Sequence, residues 1–183
     1  MLGVCVCVCE SAMSETMNSL RPYIREIPDF PKPGILFRDI SPLLRDNLAL
    51  ALDHMSALLT ANEWERVDAI AGIEARGFIL AAALATRHRK GFVPVRKAGK
   101  LPPPVVQESY DLEYGSGTLE AQHGSGTLLI VDDVLATGGT IKAAATLAAS
   151  AGYTVAALTC LIDLNLIPDF RWREQRVRSA LQY

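Results

Sequence analysis

Residues 128–140 read L-L-I-V-D-D-V-L-A-T-G-G-T. The pattern predicts an apolar strand over 128–131, then two carboxylates, Asp132 and Asp133, then a short loop closing on Thr137-Gly138-Gly139-Thr140. A helix is expected over about 140–151, with Ile141, Ala144, Ala145 and Ala148 on its apolar face and Gly152 at its end. A parallel strand delivers its carboxyl end to the ligand crevice of an open sheet. Gly138 and Gly139 let the backbone bend tightly and bring its N–H groups close to a ligand. Exposed N–H groups at a helix amino terminus, with the hydroxyls of Thr137 and Thr140, make an anion site suited to a phosphate monoester. Carboxylates repel phosphate, so the acidic pair fits this nest if a sugar separates the phosphate from the reactive carbon. Asp132 and Asp133 would then accept hydrogen bonds from sugar hydroxyls and favour positive charge developing on that sugar. The competing reading is a helix capped after a buried strand, with Asp133 merely exposed. Neither G-x-x-x-x-G-K-[ST] nor G-x-G-x-x-G occurs.

Outward from this stretch, strands alternate with helices. A strand is predicted over 67–73, a helix over 77–89 with basic residues in its last turn and Gly91 as its cap, a strand over 92–95, and another over 154–162. The alternation implies an α/β fold, an open, twisted, mostly parallel sheet flanked by helices. Upstream, apolar residues from Leu48 to Leu59 recur at helical spacing and predict one helix over roughly 45–63. Residues 28–42 hold four prolines and a glycine, which excludes a helix or a central strand. They read as an ordered loop that buries Phe30, Ile35, Leu36, Phe37 and Ile40. Residues 97–127 break the alternation with Pro102-Pro103-Pro104 and a run of glycines. Part of this excursion fits a β-hairpin, 105–114 against 118–122 across Gly115-Ser116-Gly117, and its natural functional reading is a lid.

The 183 residues are half apolar and carry 18 Lys+Arg against 20 Asp+Glu, a net charge of −2. That composition fits one soluble globular domain over 21–183 and disfavours a nucleic-acid or anionic-membrane partner. Any anionic ligand must be met by a local basic cluster. No apolar run is long enough for a membrane helix, and the cytoplasm is the default compartment. Residues 1–20, with Cys5, Cys7 and Cys9 alternating with valines, read as a disordered tail. Three thiols there suit a soft metal, yet no further Cys/His pair lies at ligand spacing, and Cys160 reads as an ordinary buried thiol.

V-D-D-V-L-A-T-G-G-T (131–140) closely resembles the motif by which type I phosphoribosyltransferases bind phosphoribosyl diphosphate, PRPP. Three further stretches narrow the resemblance to the adenine phosphoribosyltransferase family: F-P-K-P-G-I-L-F-R-D-I-S-P (30–42), G-I-E-A-R-G-F (72–78), and V-R-K-A-G-K-L-P with E-S-Y-D-L-E-Y-G (95–102 and 108–115). The resemblance covers about residues 20–165 in order. It implies the type I fold with an N-terminal hood loop and a flexible β-hairpin lid at about 97–127.

The implied reaction joins adenine N9 to C1 of PRPP, giving AMP and diphosphate through an oxocarbenium-like transition state. By the same resemblance, Ala136, Thr137, Gly138, Gly139 and Thr140 cradle the 5-phosphate, and Asp132 and Asp133 hold the ribose hydroxyls. Glu74, Ala75, Arg76, Arg96, Lys97 and Lys100 face the diphosphate, with a cis peptide expected at Glu74–Ala75. Mg²⁺ is implied, held mainly by substrate phosphates and water rather than by a protein cage. Glu113, beside Tyr114 in the lid, handles the proton at adenine N7, with Glu108 the alternative base. Leu36 and Arg38 read the base edge through their backbones, Phe37 stacks or joins the core, and Leu164 lies across the ring.

The family is usually a homodimer, and the arginine matching Arg96 can come from the neighbouring subunit. The triple proline departs from the family's more varied hinge, the 123–127 connection is short, and the tail has no counterpart. Two competing readings are a phosphoribosyltransferase for another base and a PRPP-binding regulator without catalysis.

Overall fold

The computed structural model describes residues 19–112 and 115–183. The described residues divide into two compact units, one up to His54 and one over Met55–Tyr183. The cysteine-rich stretch lies outside the described residues, whereas Leu20, at the end of the expected tail, is fully buried.

In the first unit, β1 (Arg25–Pro28) pairs antiparallel with β2 (Leu36–Asp39). Two opposite-charge pairs stand directly across the ribbon, Arg25 with Asp39 at 2.7 Å and Glu26 with Arg38 at 2.5 Å, and favour this register. The turn between them is closed by Asp29 Oδ1, which accepts the Gly34 N–H at 2.7 Å where Gly34 adopts φ +86°. The expected loop is thus partly strand. It also buries less than expected, because Phe30, Ile35 and Leu36 are exposed and only Ile40 is fully buried. Along β2 successive side chains alternate in direction, and a two-stranded ribbon has only one face to bury.

The single helix expected over 45–63 is three: α1 (Ser41–Asp46), α2 (Leu48–Ser56) and α3 (Ala61–Arg66). Asn47, at φ −145° and ψ 41°, breaks the first from the second. Thr60 starts the third with a full capping box, its hydroxyl accepting the Glu63 N–H while the Glu63 carboxylate accepts the Thr60 N–H. The apolar spacing from Leu48 to Leu59 starts after Asn47 and stops before Thr60, so it marks neither helix boundary.

In the second unit one eight-stranded sheet has the order β5-β6-β4-β3-β7-β8-β10-β9. The strands are β3 (Ala69–Ile73), β4 (Gly91–Lys97), β5 (Val105–Leu112), β6 (Gly115–Gln122), β7 (Thr127–Leu135), β8 (Thr154–Asp163), β9 (Arg171–Trp172) and β10 (Gln175–Gln182). β4, β3, β7, β8 and β10 run parallel, and β6, β5 and β9 add antiparallel edges. This is the mostly parallel α/β sheet expected from the alternation. Leu128–Leu129–Ile130–Val131 of β7 are all buried, the pattern of a central strand covered on both faces.

Helix α4 (Arg76–His88) links β3 to β4, and α5 (Gly139–Ser150) links β7 to β8. The two crossovers step outward in opposite directions from the β3/β7 pair. Right-handed connections therefore put α4 and α5 on opposite faces. The cap of α4 is Arg89, left-handed at φ 54°, and not Gly91. Gly91 instead opens β4, where a Cβ would stand 3.1 Å from that of its register partner Ala69.

The excursion does contain a hairpin, but Gly115 and Gly117 belong to β6, and the last described pair is Leu112 with Gly115. Gly117 is small because the Tyr110 ring lies on it, 2.8 Å from where a Cβ would be. β9 and β10 have no counterpart among the expected strands. The Q-R-V-R-S-A-L-Q run of β10 alternates too weakly to announce them, since Ser179 interrupts the face of Val177 and Leu181 and Ala180 interrupts that of the two arginines.

Candidate active site

Neighbouring strands β3 and β7 lead away to opposite sides of the sheet, which makes their carboxyl ends a topological switch point, where open α/β sheets bind ligands. β3 runs into Glu74-Ala75-Arg76, with a cis peptide between Glu74 and Ala75 as expected. β7 runs on past its apolar half and carries Asp132 and Asp133 within the strand, so the acids do not follow its end. Both are buried, Asp132 at 7% and Asp133 at 8% exposure, so the reading of Asp133 as merely exposed fails.

Asp132 accepts the Asp133 N–H at 2.9 Å. Burial pushes the Asp132 carboxyl well above its ordinary range, and the neighbouring charge of Asp133 adds to the push. Across the strand pair, Arg76 Nη2 stands 2.7 Å from Asp133 Oδ2. The contact is a close ion pair rather than an aligned hydrogen bond, because that oxygen makes none. Gly77 permits it. A Cβ there would fall 3.0 Å from the Val131 carbonyl and 3.3 Å from Asp132 Oδ1, so α4 starts hard against β7.

The loop after β7 has the anion-site geometry. Gly138 is buried, adopts φ +76° and precedes α5, whose amino terminus has no side-chain cap. A hollow of about 60 Å³ is lined by Val134, Leu135, Ala136, Thr137, Gly138, Thr140 and Ile141. Uncapped N–H groups around a hollow of this scale suit a phosphate group.

A second cluster gathers at the end of β4. Glu74 Oε2 accepts Arg96 Nε and the Lys97 N–H, each at 3.1 Å. Burial works against the Glu74 charge, but the Lys97 N–H and the Arg96 guanidinium outweigh it and hold the carboxyl below its ordinary range. Arg96 is thus committed within the cluster, while Lys97 and Lys100 remain exposed. Glu120 organises the segment that carries Lys100, a role no sequence pattern signalled. Its carboxylate accepts the N–H groups of Gly99, Lys100 and Leu101 at 2.9, 2.6 and 2.6 Å, and the Gln107 amide at 3.2 Å. Those N–H bonds, led by Gly99, hold its pKa at about 2.

Glu113 and Tyr114 lie outside the described residues. Glu108 lines a groove of about 330 Å³ with Ser109, Tyr110, Gly139 and Lys142, so β5 flanks the start of α5. Leu164 follows β8, its N–H donating to the Leu135 carbonyl at 3.0 Å. Leu36, Phe37 and Arg38 lie in β2 of the first unit. Leu36 is exposed, Phe37 meets Phe30 edge-on at 5.2 Å, and Arg38 pairs with Glu26. A larger hollow, about 490 Å³, opens around Leu59, Glu63, Arg66, Thr127 and Ala156, at the opposite end of β7. It has no glycine nest, and its one carboxylate, Glu63, is tied to Arg178.

A glycine-bearing hollow of phosphate size beside two buried carboxylates at a switch point has the form of a site for a sugar phosphate. The phosphoribosyl transferase domain family matches residues 43–168, more than half of the chain, and the chain belongs to that family. Its curated relatives narrow the assignment to the adenine phosphoribosyltransferases. That of Hydrogenovibrio crunogenus is 50% identical over 167 residues, covering 91% of this chain and 97% of the relative. That of Bdellovibrio bacteriovorus is 51% identical over 164 residues, covering 90% and 99%. A crystal structure of the Saccharomyces cerevisiae adenine phosphoribosyltransferase, complexed with an imino-altritol bisphosphate and adenine, superposes with a TM-score of 0.83. It is 32% identical and covers 92% of this chain and 99% of that one. The mostly parallel α/β sheet expected from the residues, and the type I fold that the resemblance implied for it, are thus both found.

Proposed function

We propose that the chain transfers the phosphoribosyl group of PRPP to adenine, releasing diphosphate and forming AMP in purine salvage. The observation that carries this reading is the Arg76–Asp133 contact, which joins the two strand ends bearing the diphosphate and ribose-phosphate elements. The relatives' names and the bisphosphate and adenine bound by the yeast protein support the same substrates.

In this reading the uncapped N–H groups of 137–140 hold the 5-phosphate, with Ala136 lining the nest. Asp132 and Asp133 accept hydrogen bonds from the ribose hydroxyls and favour positive charge on the ring. Arg76, aimed by Asp133, meets the diphosphate with the exposed Lys97 and Lys100. Arg96 and Glu74 hold the approach to that cluster. The C1–O bond breaks towards diphosphate as the N9 lone pair forms the C1–N9 bond, and Glu113 accepts the N7 proton. The catalytic role that the resemblance gave Tyr114, and the adenine-reading role it gave Leu36, Phe37, Arg38 and Leu164, belong to the same reading.

Among the described residues no group of three or more acidic, Cys or His side chains is placed to cage a metal. Glu74 is tied to Arg96 and Lys97 and Asp133 to Arg76, which fits an Mg²⁺ that arrives on the diphosphate and is held mainly by the substrate phosphates and its own waters. When bound it would neutralise the leaving group. Among the described residues no helix is long and apolar enough to cross a membrane. A cytoplasmic homodimer completes the reading, and light scattering in solution tests the dimer.

The deciding experiment is diphosphate release with PRPP, Mg²⁺ and each purine base in turn, on the wild type and Glu113→Gln. Release with adenine alone, sharply reduced in the variant, supports both assignments. Release with another base moves the protein within its family. An undisturbed variant removes Glu113 from the mechanism, and PRPP binding without release for any base leaves a regulator.

A further inference from the structure

The loop A-T-G-G-T has little of its own to hold it in the anion-binding shape. Glycine is the least restrained backbone residue, Gly138 sits at φ +76° just before Gly139 opens α5, and that helix start has no side-chain cap. What restrains it lies far along the sequence. The Phe170 ring is laid on Gly138 so closely that a Cβ there would come within 2.5 Å of Cδ2 and Cζ, and closer still to Cε2.

Phe170 is itself fixed on both sides. Asp169, before it, pairs with Arg176 at 2.6 Å and Arg171 at 3.4 Å. Trp172, in β9 just after it, is buried and donates its Nε1–H to Thr146 Oγ1 at 3.1 Å, on the helix that the loop begins. β9 pairs with β10, and Arg173 covers the Trp172 ring at 4.4 Å. The phosphate-sized hollow is lined by residues between Val134 and Ile141 and not by Phe170. The ring therefore backs the loop rather than facing its ligand.

We propose that Phe170 is a positioning residue for PRPP, acting through Gly138 to preorganise the N–H groups of the phosphate loop. The inference rests on the reading of 136–140 as the 5-phosphate site. Preorganisation acts mainly on affinity, because it removes an ordering cost that the ligand would otherwise meet on binding.

The test compares Phe170→Ala, Phe170→Leu and Phe170→Tyr with Gly138→Ala, using steady-state kinetics, calorimetric PRPP binding and thermal melts. Phe170→Ala is expected to raise the PRPP KM and Kd about three- to tenfold, with the adenine KM and kcat within about twofold. Phe170→Leu should fall between, and Phe170→Tyr, which keeps the ring, should restore the wild-type PRPP KM. If Phe170→Ala is too unstable to assay, the Leu and Tyr variants carry the comparison. A fall in kcat with both KM values unchanged, or a lower Tm with unchanged PRPP binding, overturns the proposal and leaves Phe170 a packing residue. If Gly138→Ala weakens PRPP and the Phe170 variants do not, the proposal fails while the phosphate site stands. If Gly138→Ala also binds PRPP normally, the phosphate reading fails and the proposal with it.

Discussion

Arg76 Nη2 lies 2.7 Å from Asp133 Oδ2, and this contact ties the start of α4 to the end of β7. The guanidinium is more than one-third exposed and the carboxylate is mostly buried, so the arginine brings positive charge in from the solvent side to an oxygen, Oδ2, that is out of solvent. Arg76→Ala is expected to leave two buried carboxylates side by side and to lower both Tm and turnover. With the electrostatic stabilisation of the diphosphate lost, kcat/KM should fall about 10²–10³-fold. Asp133→Asn in the same chain should recover part of the Tm but none of the turnover, a non-additivity that a double-mutant cycle measures.

Asp132 makes the opposite kind of prediction. Its folded-state pKa is raised by burial, and further by Asp133. A carboxyl raised in this way favours the folded state at low pH and loses that advantage as pH rises. At neutral pH its charge is a liability. Asp132→Asn is therefore expected to gain on the order of 1 kcal/mol, or about 2–4 °C in Tm, at pH 7. It should lose most of its turnover, and the Tm gain should shrink as pH falls towards the ordinary carboxylate range. Melts across pH with parallel assays check both signs.

Glu120 holds three consecutive backbone N–H groups, a task that a carboxylate does better than an amide. Glu120→Gln puts an NH₂ where an acceptor stood. Limited proteolysis should cut the 98–104 segment faster in this variant, and the PRPP KM should rise because Lys100 is no longer held. If cleavage and KM both match the wild type, the clamp has no function.

Glu63 ties the capping box of α3 to Arg178 of β10, which also donates to the Leu58 carbonyl at 2.8 Å. Arg178 first, then the Thr60 N–H, brings the Glu63 pKa from 4.5 to about 2. A depressed carboxyl stabilises the fold fully above its unfolded value and loses that contribution as pH falls through the folded one. The Tm difference between wild type and Glu63→Gln should therefore be constant near neutrality and narrow from about pH 5 downward, towards pH 2. Both groups are more than one-third exposed, so the difference should be modest and weaken with salt.

Local sequence determined the parts of this protein that depend on near neighbours. Leu128–Val131 read as a buried central strand, Gly138 as a tight bend before a helix, and the alternation outside 97–127 as a parallel α/β sheet, because each follows from hydrophobic period and backbone freedom over a few residues. The acidic pair beside the glycines carried the sugar-phosphate reading in the same way. Tertiary structure decided what depends on residues far apart. Burial raised Asp132, and a neighbouring strand supplied Arg76 to Asp133. Gly91 gave up the cap of α4 to Arg89 because Ala69 stands beside it in the sheet. β10 became a parallel strand because β8 was there to pair with it and Glu63 to take its Arg178. Glu120 and Phe170 carry no motif. Their roles come from the backbone that the fold brings to them, and hydrogen bonding and close packing act on distance in space, which separation along the chain does not encode.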